Sequence, residues 1–148
     1  MKIMLVNDDG YRAQGIRILA QTLIRAGHTV AVYAPAEERS GANHSFSFGR
    51  PVTATSFSED GLTGYGISGS PADCAALGLY LLDRSVDLVI SGINNGTNLG
   101  GACIYSGTVG GAMEASMLGI PSIAVSIGHY DEGYRFADAA QVVVKMLD

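Results

Sequence analysis

The chain has 148 residues, a formal net charge of -5 and a hydrophobic fraction of 47%, enough for one domain with its own core and too little for two. Its acidic residues are scattered and its few basic residues form no cluster, which argues against a surface for nucleic-acid polymers. Cys74 and Cys103 stand far apart in no C-x-x-C pair, excluding a disulfide framework or a zinc site, and the absence of a signal-like start or a membrane-length apolar run predicts a soluble, cytoplasmic protein.

Lys2 to Val6 is a short apolar run closed by Asn7-Asp8-Asp9-Gly10, which predicts a buried strand ending in two carboxylates. Ile16, Leu19, Ala20, Leu23 and Ile24 then recur at helical spacing, Gly27 supplies a stop, and Thr29 to Tyr33 is a second β-branched run ending at Pro35. Together they form a βαβ unit with parallel strands. The polar stretch from Ala36 to Phe48 leaves the carboxyl end of a strand and so can face Asp8 and Asp9. Pro51 to Thr55 and Leu62 to Ile67 flank a turn at Glu59-Asp60-Gly61, predicting a small hairpin at the sheet's edge. Ser70-Pro71-Ala72-Asp73 is a helix start with serine at the N-cap, proline at N1 and an acid at N3, and the helix is expected to run to about Asp83. Asp87 to Ser91 predicts a third core strand that empties into a glycine- and asparagine-rich loop, Gly92 to Gly107. Ser106 caps a further helix ending near Gly119, Ser122 to Ile127 is a fourth apolar strand, and Tyr134 to Leu147 a final helix. These elements predict an α/β three-layer domain with a mostly parallel sheet, a single domain over residues 1–148.

In open α/β sheets ligands bind beyond the carboxyl ends of the strands, which puts Asp8 and Asp9 at the lip of the crevice. Adjacent carboxylates repel and raise one another's pKa unless a cation or hydrogen bonds compensate. Dinucleotide binding is excluded, because carboxylates stand where a G-x-G-x-x-G turn would hold the pyrophosphate, and neither a P-loop nor a nucleophile elbow occurs. The three histidines lack ligand spacing. His28 reads as a surface residue, His44 as either a loop histidine or a proton donor, and His129 carries no signal. What remains is an oxygen-rich set from three connections: Asp8 and Asp9; Ser40 and Asn43; Asn94, Asn95 and Asn98. Such donors suit Mg²⁺, Mn²⁺ or Ca²⁺. Asp and Asn are equally turn formers, and from the residues alone both readings stand. Ser106-Gly107-Thr108 at a helix start reads as a serine cap, as an anion site of free amides, or as both.

Val6-Asn7-Asp8-Asp9-Gly10, Glu38-Arg39-Ser40-Gly41, Ser70-Pro71-Ala72-Asp73-Cys74, Ser91 to Gly100 and Ile104-Tyr105-Ser106-Gly107-Thr108-Val109, in that order, closely resemble the SurE (survival protein E) family of nucleotidases. The resemblance implies a Rossmann-like core and a divalent-metal-dependent phosphatase (5′-nucleotidase) acting on nucleoside 5′- and also 3′-monophosphates, some members also cleaving short polyphosphate. It implies Asp8, Asp9, Ser40 and Asn94 as ligands of one Mg²⁺ or Mn²⁺, with Asn98, Ser106, Gly107 and Thr108 facing the substrate phosphate. Asp8 and Asp9 are also the catalytic candidates, either by orienting water or, in a competing reading, through attack of Asp8 on phosphorus. Family members are usually longer, so the chain is expected to lack their carboxy-terminal segment; a homodimer or homotetramer is the expectation for the full length. Ser70 stands where threonine is common and Gly100 to Cys103 where many members are more acidic. The alternative function is a metal-linked nucleotide or sugar-phosphate binding domain without turnover.

Overall fold

The computed structural model describes residues 1–128 and 135–147. In chain order the elements are β1 (Lys2–Val6), α1 (Gln14–Arg25), β2 (Thr29–Pro35), β3 (Ala54–Glu59), β4 (Leu62–Ile67), α2 (Pro71–Leu81), β5 (Leu88–Asn95), α3 (Ala102–Tyr105), α4 (Gly107–Met117), β6 (Ser122–Ile127) and α5 (Phe136–Leu147). They build a six-stranded sheet of order β3-β4-β2-β1-β5-β6. All neighbours are parallel except β3 with β4, so the expected three-layer α/β architecture with a mostly parallel sheet is the one found.

The apolar runs explain the layers. Alternate side chains of β1 go to opposite faces: Ile3 and Leu5 join Leu19, Leu23, Phe136 and Val143 of α1 and α5. Met4 and Val6 join Cys74, Leu79 and Ala115 of α2 and α4. A strand covered on both faces must be apolar throughout, which is why Lys2 to Val6 shows no alternation in sequence.

Several boundaries differ from expectation, each for a local reason. Ile24, placed on the apolar face of α1, is 40% exposed, because it falls at the helix end beyond the buried row that closes with Leu23. The hairpin at the edge exists, but its first strand is Ala54–Glu59 rather than Pro51 to Thr55. Glu59 pairs with Leu62, which leaves Asp60-Gly61, both at positive φ, as a two-residue loop suited to the twist of a hairpin. α2 stops at Leu81, short of Asp83. The third core strand runs on to Asn95 with a register shift between Ser91 and Asn94, so Asn94 and Asn95 sit at a strand end rather than in a free loop. α3, a four-residue turn of helix, had no signal in sequence. Tyr134, the expected first residue of the last helix, and His129 lie outside the described residues.

Strand order fixes where the chemistry can be. From β1 the chain passes to β2, then to the edge strand β3 and back to β4 beside β2, before it crosses to the other side of β1 as β5 and β6. The reversal lies between β1 and β5, the position at which a doubly wound sheet opens a crevice beyond its strands' carboxyl ends.

Candidate active site

At that reversal point lies a cleft of about 430 Å³. Asp8, Asp9, Ser40, Asn94, Asn98 and Ser106 all line it, together with Glu38, Asn95 and Tyr105. The parallel strands bring β1 and β5 out side by side, and the connection after β2 is drawn over the top by the Arg39 N–H, which donates to the Asp8 carbonyl at 2.6 Å.

The acidic turn is held from within by Asn7, which is fully buried. Its Nδ2 donates to the Gly10 carbonyl at 2.8 Å, and the Gly10 N–H donates to its Oδ1 at 3.2 Å. This amide clamp closes the turn around Asp8 and Asp9, a role the sequence did not suggest beyond the presence of an asparagine before the acids. Asp8 is only 5% exposed and is oriented by the Thr108 hydroxyl, which donates to Oδ1 at 2.6 Å. The start of α4 presses against the same side chain. A Cβ on Gly107 would lie 2.9 Å from Asp8 Cβ, so the helix approaches this closely because the residue is glycine.

Asp9 is more open and accepts from the Asn95 N–H through Oδ2 at 3.3 Å. Burial first, and then the neighbouring Asp8 charge, push its carboxyl above the ordinary aspartate value, with Asn95 opposing and Glu38 adding to the rise. The turn therefore carries uncompensated negative charge that a cation would relieve. Asn94 spends its Nδ2 on the Gly96 carbonyl at 2.8 Å, which leaves its Oδ1 as a donor atom toward a cation. Ser40 donates to Glu38 Oε1 at 2.5 Å, and its oxygen lone pairs remain for the cleft. Among the described residues no group of three or more His, Cys, Asp or Glu side chains is placed to hold a metal ion by itself. A cation here would rest on two carboxylates and neutral oxygens, a donor set that fits a hard divalent ion and not zinc.

The residues expected at the phosphate divide. Asn98 lines the cleft with one amide hydrogen committed to Ser126 Oγ at 2.8 Å. Ser106 lines it as the N-cap of α4, its Oγ accepting from the Val109 N–H at 3.1 Å. Gly107 and Thr108 are not among the lining residues; Thr108 is fully buried with its hydroxyl turned to Asp8. The first intrahelical bond of α4 is made by the Gly110 N–H, so the earlier amides lack a helical acceptor. Asn43 lies outside the cleft and donates its N–H to the Tyr105 carbonyl. His44 is neither free nor in the cleft, since Nε2 meets Glu114 Oε2 of α4 at 2.7 Å.

The family model described as "Survival protein SurE" matches residues 3–148. The chain is 51% identical over 131 residues to the 5′-nucleotidase SurE of Gloeobacter violaceus, spanning 86% of this chain and 50% of that protein. It is 46% identical over 148 residues to that of Desulfitobacterium hafniense, spanning 99% and 59%. The crystal structure of the SurE protein from Aquifex aeolicus superposes with a TM-score of 0.88 at 42% identity, over 99% of this chain and 58% of that one. The chain thus spans about half the length of the curated relatives it matches.

Proposed function

Since this chain belongs to the SurE family, we propose that it forms the catalytic domain of a divalent-metal-dependent phosphatase that hydrolyses nucleoside 5′-monophosphates, and 3′-monophosphates as well, to nucleoside and phosphate. The name 5′-nucleotidase carried by its relatives supports the substrate class. The observation that carries the reading is the convergence of Asp8, Asp9, Ser40, Asn94, Asn98 and Ser106 on one cleft from separate connections. Asp8, Asp9, Ser40 and Asn94 would hold Mg²⁺ or Mn²⁺, and the ion would supply charge neutralisation and a more acidic water. Asp9, the more open of the two acids, orients the attacking water and takes its proton. The amides at the start of α4 and the remaining Asn98 N–H donate to the phosphoryl oxygens where charge develops. Attack by Asp8 itself is the weaker alternative, because Asp8 is buried and one of its oxygens is occupied by Thr108.

The test is phosphate release from adenosine 5′-monophosphate with Mn²⁺ or Mg²⁺, against the same protein in chelator. Metal-dependent release is the expected result. Tight binding of cation and nucleotide with no release would make the chain a binding domain, and a trapped acyl-phosphate on Asp8 would replace water attack with the covalent route.

A further inference from the structure

Beside the acidic cleft, and sharing Ser40 with it, lies a second recess of about 460 Å³. Its walls include Arg39, Arg50, Ser45, Phe46 and Ser68, and no carboxylate lines it, although the protein carries a net charge of -5. Elsewhere Arg12 and Arg17 pair with Glu59 and Asp60, and Arg135 with Asp138, while Arg25 and Arg84, which line neither recess, meet the Thr22 hydroxyl and the Leu118 carbonyl. Arg39 instead rests one nitrogen on the Ser68 carbonyl at 3.2 Å, and Arg50 forms no ion pair among the described residues. Asp73, at the start of α2, is turned to Ser47 and Ser70, which satisfy it. The Ser68 hydroxyl accepts from the Thr53 N–H at 2.9 Å, so its own proton is available to the recess. Two guanidinium forks and a hydroxyl, unopposed by any acid, are donors matched to a phosphate.

We infer that this recess is a leaving-group subsite and that the enzyme favours phosphomonoesters whose alcohol carries a second phosphate. The inference rests on the phosphatase reading above and refines its substrate class. The transferred phosphoryl group lies in the acidic cleft, where it needs a cation. The retained phosphate lies against Arg39 and Arg50, where it needs none. In the reaction the water oxygen bonds to phosphorus, the ester P–O bond breaks, and the leaving alcohol takes a proton and keeps its second phosphate.

Adenosine 3′,5′-bisphosphate and adenosine 5′-monophosphate are the probes, with Mn²⁺ present, by titration calorimetry and by phosphate release. The wild-type protein is expected to bind the bisphosphate about tenfold more tightly, the effect of one further set of charged hydrogen bonds. The Arg39→Gln, Arg50→Gln double variant is expected to lose that preference. Arg50→Gln alone, at an exposed side chain, is expected to reduce it about threefold, and keeps the test valid if the double variant does not fold. Equal affinities in the wild type, or a preference that survives both variants, overturns the subsite. Phosphate release separates the two failures: preference without release sinks the phosphatase reading alone, and release without preference sinks the subsite alone.

Discussion

Thr108 shows how one hydroxyl decides between two roles. The resemblance to the SurE family implies that it faces the substrate phosphate, a role in which Thr108→Val would weaken phosphate binding more than metal binding. In the structure its hydroxyl is spent on Asp8 Oδ1 at 2.6 Å in a fully buried position. Valine has nearly the same shape and cannot donate, so the substitution leaves a buried carboxylate oxygen without its donor, a loss of about 1–3 kcal/mol. The geometry therefore reverses the expected order. Thr108→Val should weaken Mn²⁺ by about tenfold, and inorganic phosphate by no more than that. Calorimetric Mn²⁺ titration, read beside product-inhibition constants for phosphate, makes the comparison. Weakened phosphate with Mn²⁺ affinity intact would return Thr108 to the substrate.

The connection after β2, from Ala36 to Thr53, becomes part of the site because α2 and α4 hold it down. Ser47 donates to Asp73 through its N–H at 2.9 Å and its hydroxyl at 2.7 Å, and the Ser70 N–H adds a bond at 2.8 Å. Burial works to raise the Asp73 carboxyl, but these bonds outweigh it and hold the group below the ordinary value of 3.8. A depressed folded-state pKa contributes stability that is fully present above 3.8 and is lost as pH falls through the lower folded value. At neutral pH the anchor is intact, and Asp73→Asn should release it there, costing about 1–2 kcal/mol. Hydrogen exchange at the Ser47 and Ser70 amides is the readout, with faster exchange expected in the variant. Unchanged exchange would mean that the loop is held by His44 and Glu114 instead. The same element marks the limit of what sequence can show. The capping box of α2 was readable because Ser70, Pro71 and Asp73 are local neighbours, and the acidic turn was readable because it closes an apolar run. That Asp73 also receives Ser47, that His44 meets Glu114, and that Thr108 meets Asp8 across 100 positions are consequences of packing. No spacing rule encodes them. The edge hairpin slipped for a related reason: the polar stretch Ser56, Ser58 and Glu59 looks like loop, and only Phe57, packed on Tyr11, gives it an inward face.

For the whole molecule, the question is how much of the fold depends on the cation. The two apolar clusters lie on the faces of the sheet and contain none of the cleft's lining residues, so the protein should fold without metal and gain stability from it only through binding. At about 100 times its Kd a ligand contributes about 2.7 kcal/mol, and for a domain of this size each kcal/mol moves Tm by about 2–4 °C. Mn²⁺ should therefore raise Tm by about 5–10 °C, and chelator should return it to the starting value with no loss of helix signal. Asp9→Asn supplies the internal control. The Asp9 carboxyl is pushed up by burial and by Asp8, so the folded state holds its proton more tightly than the unfolded chain does, and ionised Asp9 is a cost at neutral pH that grows as pH rises through the folded value. Asparagine removes that cost while its side-chain oxygen can still accept the Asn95 N–H. The metal-free variant should then melt above the metal-free wild type, yet gain little from Mn²⁺, so that the two proteins exchange rank when the ion is added. Equal Mn²⁺ shifts in both would place the cation away from Asp9. A metal-free variant less stable than the wild type would mean that the paired acids are already compensated within the protein, and that the cleft needs no cation to hold them together.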